Sequence, residues 1–215
     1  MNRLNKTVAP WTSALLLAGA TNCSLAPPAV GELPSGVKDS QAENNYQALL
    51  GRYTAHAEVY DLLSTRMFAA ATFQTWPFRE ARVHRLALYQ VQPAPVEQGH
   101  LAEERSQFES FHEFFFGAHV TNYRFDDFDR PNSVWRVALV TGAVETTPIS
   151  VQRLGRSNLS MRAIYPYMDD FWVAYRIRFP RKTLDGEPVI PPGTSTVLLR
   201  IASTLGKAEM KFPAE

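Results

Sequence analysis

Three groups of side chains in this 215-residue chain have types and spacing that could do chemistry. The first is Glu109-Ser110-Phe111-His112, with Glu113 next and His119 nearby. On a helix, E-x-x-H projects both groups to one side, as in di-iron bundles, but those need a second such motif and further glutamates on four helices. Only one motif occurs here, so the plainer expectation is a helix with Phe inside and Glu and His at its boundary. The second group is Phe125-Asp126-Asp127-Phe128-Asp129-Arg130. Clustered carboxylates suit Ca²⁺, a hard cation that prefers oxygen, which makes Asp126, Asp127 and Asp129 the Ca²⁺ candidates. The stretch lacks the glycine and terminal Glu of an EF-hand, and a solvated loop in which Arg130 pairs one Asp is the alternative. The third group is Tyr165-Pro166-Tyr167-Met168-Asp169-Asp170-Phe171-Trp172. Rings stack and carboxylates accept hydrogen bonds, so Tyr165, Tyr167, Asp169, Asp170 and Trp172 are candidates for binding a glycan or peptide from a hairpin loop. The alternative is a turn whose rings pack inward. Arg79, Arg82, Arg85, Arg176 and Arg178 either meet an anionic lipid or partner or lie on a solvated face.

Standard catalytic motifs are missing: there is no G-x-S-x-G, P-loop, G-x-G-x-x-G or H-E-x-x-H. A single cysteine rules out C-x-x-C chemistry and a disulfide framework. The expectation is a protein without enzymatic activity or cofactor. With 45% hydrophobic and 12% aromatic residues the chain is not of the disordered class. Its 22 basic and 21 acidic residues give a formal charge of +1, which argues against a nucleic-acid partner. Residues 40–116 hold 6 basic and 9 acidic residues, a net of −3, whereas 117–215 hold 13 and 10, a net of +3. The two halves should attract each other, but neither is charged enough to indicate a polyanion partner.

These groups need elements to position them. Ser40-Gln41-Ala42-Glu43 matches a capping box, and the stripe Tyr46, Leu49, Leu50, Tyr53, Ala57, Tyr60, Leu63, Met67, Phe68 and Ala71 predicts one helix ending near Thr72. Trp76-Pro77 breaks it, and further helices follow at about 78–89 and 96–116, the last ending at Gly117 with Phe108, Phe111 and Phe115 on one face. After Gly117 the period falls to two. Strands are expected near 119–125, 134–141, 147–154, 159–165, 171–179, 195–202 and 207–212, separated by turn signals such as Asp185-Gly186 and Leu205-Gly206. Seven short strands predict a β-sandwich whose pattern resembles immunoglobulin-like or fibronectin-type modules without a disulfide, with Trp135 as the buried Trp. The fold class is therefore α+β: a helical hairpin or three-helix region over 40–117, then an antiparallel immunoglobulin-like sandwich over 118–215.

The N-terminus reads as an address. Arg3 and Lys6 precede the short apolar run Ala14–Ala20, which is too brief for a permanent span of ~20 apolar residues and fits a secretory signal over 1–22. Ala18-Gly19-Ala20 fits small-x-small cleavage with a mature start at Thr21, while Cys23 lies three residues beyond the apolar run. Residues 23–39 are rich in Pro, Gly and small residues and read as a tether. The position of Cys23 resembles the lipidated cysteine of bacterial lipoproteins, although Asn22 stands where Gly, Ala or Ser is usual, and Ala20 stands where Leu is usual. With signal, cysteine, tether and globular part together, the chain is similar to bacterial envelope lipoproteins. That resemblance implies a lipid anchor in a membrane, most naturally the outer membrane and otherwise a periplasmic or secreted fate, with an envelope protein as partner. Mass spectrometry of the mature N-terminus is expected to find Cys23 carrying acyl chains; an unmodified Thr21 start overturns the anchor.

Overall fold

The computed structural model describes residues 40–62 and 64–214; the expected signal, the tether and Cys23 lie outside them. No helix among the described residues is long and apolar enough to cross a membrane. The described residues are α+β, with four α-helices and nine strands in two antiparallel sheets. The order along the chain is α1 Ser40–Tyr53, β1 Thr54–Asp61, β2 Ser64–Phe73, α2 Trp76–Tyr89, α3 Ala94–Ser110 and β3 Phe111–Val120. It continues with β4 Arg136–Thr141, β5 Val144–Thr146, β6 Ser150–Arg156, α4 Leu159–Ile164, β7 Val173–Pro180, β8 Thr196–Ser203 and β9 Gly206–Pro213. One sheet has the order β1-β2-β3-β7-β6 and the other β5-β4-β8-β9.

The helical half predicted over 40–117 is therefore only partly helical. The first helix stops at Tyr53, not near Thr72, and residues 54–73 form a hairpin. Ala55, Ala57 and Val59 on β1, and Met67, Ala69, Ala71 and Phe73 on β2, all face one core, which is a period of two. Alanine-rich segments carry high helix propensity, and the second face of β2 is also buried at Ala70 and Thr72, so the alternation was masked. The third helix ends at Ser110, and Phe111–Val120 is a central strand between β2 and β7. Such a strand is buried on both faces and reads as a continuous apolar run, which periodicity alone cannot separate from a helix. Of the expected strands, 134–141, 171–179, 195–202 and 207–212 form close to their predicted bounds. The expected 119–125 strand is the end of β3 and a 3₁₀ turn, and the expected 147–154 strand is β6, with the short β5 before it. The expected 159–165 strand is the helix α4, started by Asn158, whose side chain accepts from the Met161 N–H at 3.0 Å.

Both sheets contribute to one large hydrophobic cluster. Phe114, Phe116, Ile177 and Phe179 of the first sheet meet Leu139, Leu199, Ile201 and Phe212 of the second. The expected Trp135 is buried there, stacked on Phe128 with its indole N–H donating to the Phe125 carbonyl at 2.7 Å. The opposite face of the first sheet carries a second cluster, built from Tyr46, Leu50 and Tyr53 of α1, Phe78 of α2, Phe115 of β3, and Tyr165 and Met168. Gly117 is the point where this layer comes closest: a Cβ there would lie 3.0 Å from the Trp172 ring and 3.2 Å from Met168 Sδ. At Gly206 the turn needs φ +140°, and a Cβ would lie 2.3 Å from Val59 Cγ1.

Phe114 joins the sheets, with its ring 4.6 Å from Phe73, 5.2 Å from Phe212 and 5.9 Å from Phe179. Phe114→Ala should cost about 3–5 kcal/mol, seen as a lower urea midpoint at unchanged slope.

Candidate functional site

The 165–172 segment turns its rings inward. Tyr165 is 3% exposed, stacked 3.6 Å from Phe115, with its hydroxyl donating to Gln74 Oε1 at 3.2 Å. Tyr167 packs on the same cluster, and its hydroxyl shares a 2.8 Å hydrogen bond with Thr72 Oγ1. Trp172 lies half-buried against Gly117. Asp170 pairs with Arg162, and Asp169 Oδ1 accepts from the Phe171 N–H at 2.8 Å. Tyr165 and Tyr167 therefore anchor a helix layer, and Trp172 is half-buried beside them, so the segment presents less ring surface than the sequence predicted. Phe171, between them, is 73% exposed.

The three acidic Ca²⁺ candidates diverge. Asp127 is buried and accepts from the Ser133 hydroxyl at 3.0 Å. Asp126 takes Arg153 Nη2 at 2.7 Å and the Tyr175 hydroxyl at 2.6 Å. Asp129 is exposed, and Arg130 pairs with none of them. Among the described residues no three His, Cys, Asp or Glu gather as metal ligands.

The E-x-x-H group is also split by the end of α3. Glu109 pairs with Arg105 on the helix, while His112 is buried on β3 with its ring 6.3 Å from that of Phe73. The five arginines expected to meet an anionic lipid or partner, or to lie on a solvated face, each have an acidic partner within the fold. Arg79 is 1% exposed; its Nε donates to the Gln74 carbonyl at 2.9 Å, and its guanidinium reaches both Glu104 and Glu113. Arg178 Nε meets Glu113 Oε2 at 2.7 Å, and Arg176 stands 3.8 Å from the same carboxylate. Arg82 Nη2 meets Glu104 at 2.7 Å. Arg85 Nε meets Glu43 at 2.6 Å and its charge lies over the Tyr46 ring. Burial works against the Glu43 carboxylate, yet its bonds to Arg85 and Gln47 hold its pKa below the usual value.

A polar groove of about 490 Å³ opens where β3 ends and β7 begins. Arg153 and Arg156 of β6, Asp126, Asp129 and Arg130 of the loop before β4, and the rings of Tyr123 and Phe171 line it. Arg153, Asp126 and Tyr175 lock one wall, since Arg153 Nη1 also donates to the Tyr175 hydroxyl at 2.6 Å. Arg130 and Arg156 are exposed and have no ion pair among the described residues. Tyr123 is 80% exposed, and the Phe171 ring stands edge-on to His119, which stacks on Phe68. The groove thus holds three arginines, two aspartates and exposed rings. Of the predicted site residues it gathers only Asp126 and Asp129. Arg130 comes from the loop before β4 and Arg153 and Arg156 from β6, and no spacing in the sequence signals that the two segments meet.

Comparison with known proteins finds no matching family model, no matching curated protein and no matching solved structure.

Burial, with the charge of Arg181 added, pushes the His112 pKa down to about 3. The imidazole is neutral in the fold, whereas in the unfolded chain it takes up a proton below about pH 6.5. Unfolding then binds a proton, so this group lowers stability as pH falls from about 6.5 toward 3, by up to about 1.4 kcal/mol per pH unit. His112→Gln should flatten that part of the profile, measured as urea unfolding of both chains between about pH 4 and about pH 7.

Proposed function

We propose that this chain is an exported, lipid-anchored, non-enzymatic protein-interaction module of the cell envelope, and that its groove grips an acidic, ring-bearing segment of a partner protein. The observation that carries this reading is Arg130 and Arg156 standing without acidic partners beside the exposed rings of Phe171 and Tyr123. Unpaired guanidinium groups beside rings suit a carboxylate and an aromatic side chain presented together. The groove is bordered by β6, the last strand of its sheet, along which an extended peptide can add main-chain hydrogen bonds. A bulge between Arg153 and Gly155 and the charged side chains keep that edge from pairing indiscriminately. The signal, Cys23 and tether supply the address. We also infer that the two sheets form a sandwich around their shared cluster. The immunoglobulin-like description fits less well, because β1, β2 and most of β3 precede residue 118.

The test is retention of labelled peptide pools by the mature protein. Acidic peptides carrying Phe or Tyr should bind, basic ones should not, and Arg130→Glu with Arg156→Glu should weaken binding by about tenfold or more. Peptide binding that ignores both charge and the double substitution, or selective binding of neutral oligosaccharides in its place, overturns the reading.

A further inference from the structure

A second cavity, of about 440 Å³, lies at the other end of β3, where His112 stands. That volume is within the range of small-molecule sites. The N-terminus of α2, the C-terminal part of α3 and the ends of the sheets enclose it, and Phe73, Trp76, Phe108 and Ile190 make its walls mostly apolar. The Trp76 and Phe108 rings are 6.1 Å apart.

Two polar atoms set in these walls lack partners, Thr75 Oγ1 and Arg181 Nε. Thr75 is 4% exposed, its hydroxyl is buried without a hydrogen bond, and it leaves α2 uncapped by its side chain. Arg181 stacks 4.2 Å from the Phe108 ring centroid and donates through Nη2 to the Phe108 carbonyl. Its Nε is buried with no acceptor, and no Asp or Glu pairs with it among the described residues. Burial and the charge of Arg79 push its pKa down to about 10, with Glu109 opposing. The other cation, Arg105, is already engaged by Glu109 at 2.8 Å. Buried donors left unpaired cost stability, and a native fold that keeps two at one cavity calls for an explanation.

We propose that this cavity binds a monocarboxylate with an aromatic body, its carboxylate on the Arg181 guanidinium and the Thr75 hydroxyl and its ring against Trp76 and Phe108. One unpaired guanidinium matches one negative charge; a dianionic phosphate would bring a second charge, and the other cation of the lining, Arg105, is already held by Glu109. Three rings around the space favour a flat body over a branched one. The site stands independently of the groove, from which the length of β3 separates it.

Trp76 is a built-in reporter. Titration of the mature protein with 3-phenylpropanoate should quench its fluorescence saturably at concentrations up to about 10 mM and release heat in calorimetry. Trp76→Phe should remove the optical change and weaken, without abolishing, the binding read as heat. The amide 3-phenylpropanamide and the matching phosphate monoester should bind at least about tenfold more weakly, and Arg181→Met should lose affinity by a similar factor. Should Arg181→Met fail to fold, Arg181→Lys keeps the charge without the planar fork and should bind at intermediate strength. Equal affinity for acid and amide, tighter binding of the phosphate or of hexanoate than of the aromatic acid, full binding by the Arg181 variants, or no binding by the wild type overturns the proposal.

Discussion

The carboxylate of Glu113 holds the helix layer in register with the sheet. It projects from β3 and meets Arg79 of α2 and Arg176 and Arg178 of β7. Arg79 carries the connection on to Glu104 of α3, and Arg178 Nη2 donates to Gln107 of the same helix at 3.1 Å. Glu113 and Arg79 are both buried, and a buried charge that loses its partner destabilises by several kcal/mol. Neither can therefore be buried well before the other arrives. The consequence reaches furthest at α3, which has no buried residue and so gains little from apolar burial. Charge pairs through Glu104, together with the Arg181 bond to the Phe108 carbonyl, hold that helix against the body. Phe108 in turn walls the cavity at that end of β3.

β3 can support both recesses because it is packed on both faces. Phe114, Phe116 and Ala118 face the core between the sheets, and Phe115 faces the helices. Gly117 allows Met168 and Trp172 to settle directly on the strand, which fixes the 165–172 segment and leaves Phe171 pointing outward. Paired on both sides by β2 and β7, the strand is a poor candidate for motion. Groups placed at its two ends are held in position before any ligand arrives, which lowers the ordering cost of binding.

What the sequence made legible follows from how each segment is buried. One-sided strands such as β7, β8 and β9 alternate cleanly, and their bounds were readable. The hairpin 54–73 was not, because alanines at 55, 57, 69, 70 and 71 satisfy both helix propensity and a two-sided strand. The helix that Asn158 caps is too short for the 3.6 period to show, so its segment read as a strand. At the sites the difficulty is of another kind. A ring's direction depends on the layer it meets, so Tyr165 and Tyr167, which resemble a binding loop in sequence, became core, while Phe171 beside them stayed exposed. Arginine at helical spacing normally means solvent, and nothing local shows that Glu104 and Glu113 will bury Arg79.

The charge imbalance between halves acquires a different meaning once pairing is known. The expected attraction between the acidic and basic halves operates where Glu113 meets Arg176 and Arg178, but Arg79 and Arg85 are neutralised within their own half, by Glu104 and Glu43. Three arginines of the basic half, Arg130, Arg156 and Arg181, stand at the two recesses without an acidic ion-pair partner among the described residues. A net of +3 spread over about a hundred residues exerts little force on a partner in water. The same charges beside exposed rings, or set in an apolar wall, act at lower effective dielectric and at contact distance. The preference for an anionic group that we propose at both ends of β3 therefore rests on which arginines the fold leaves unpaired, and not on how many the chain contains.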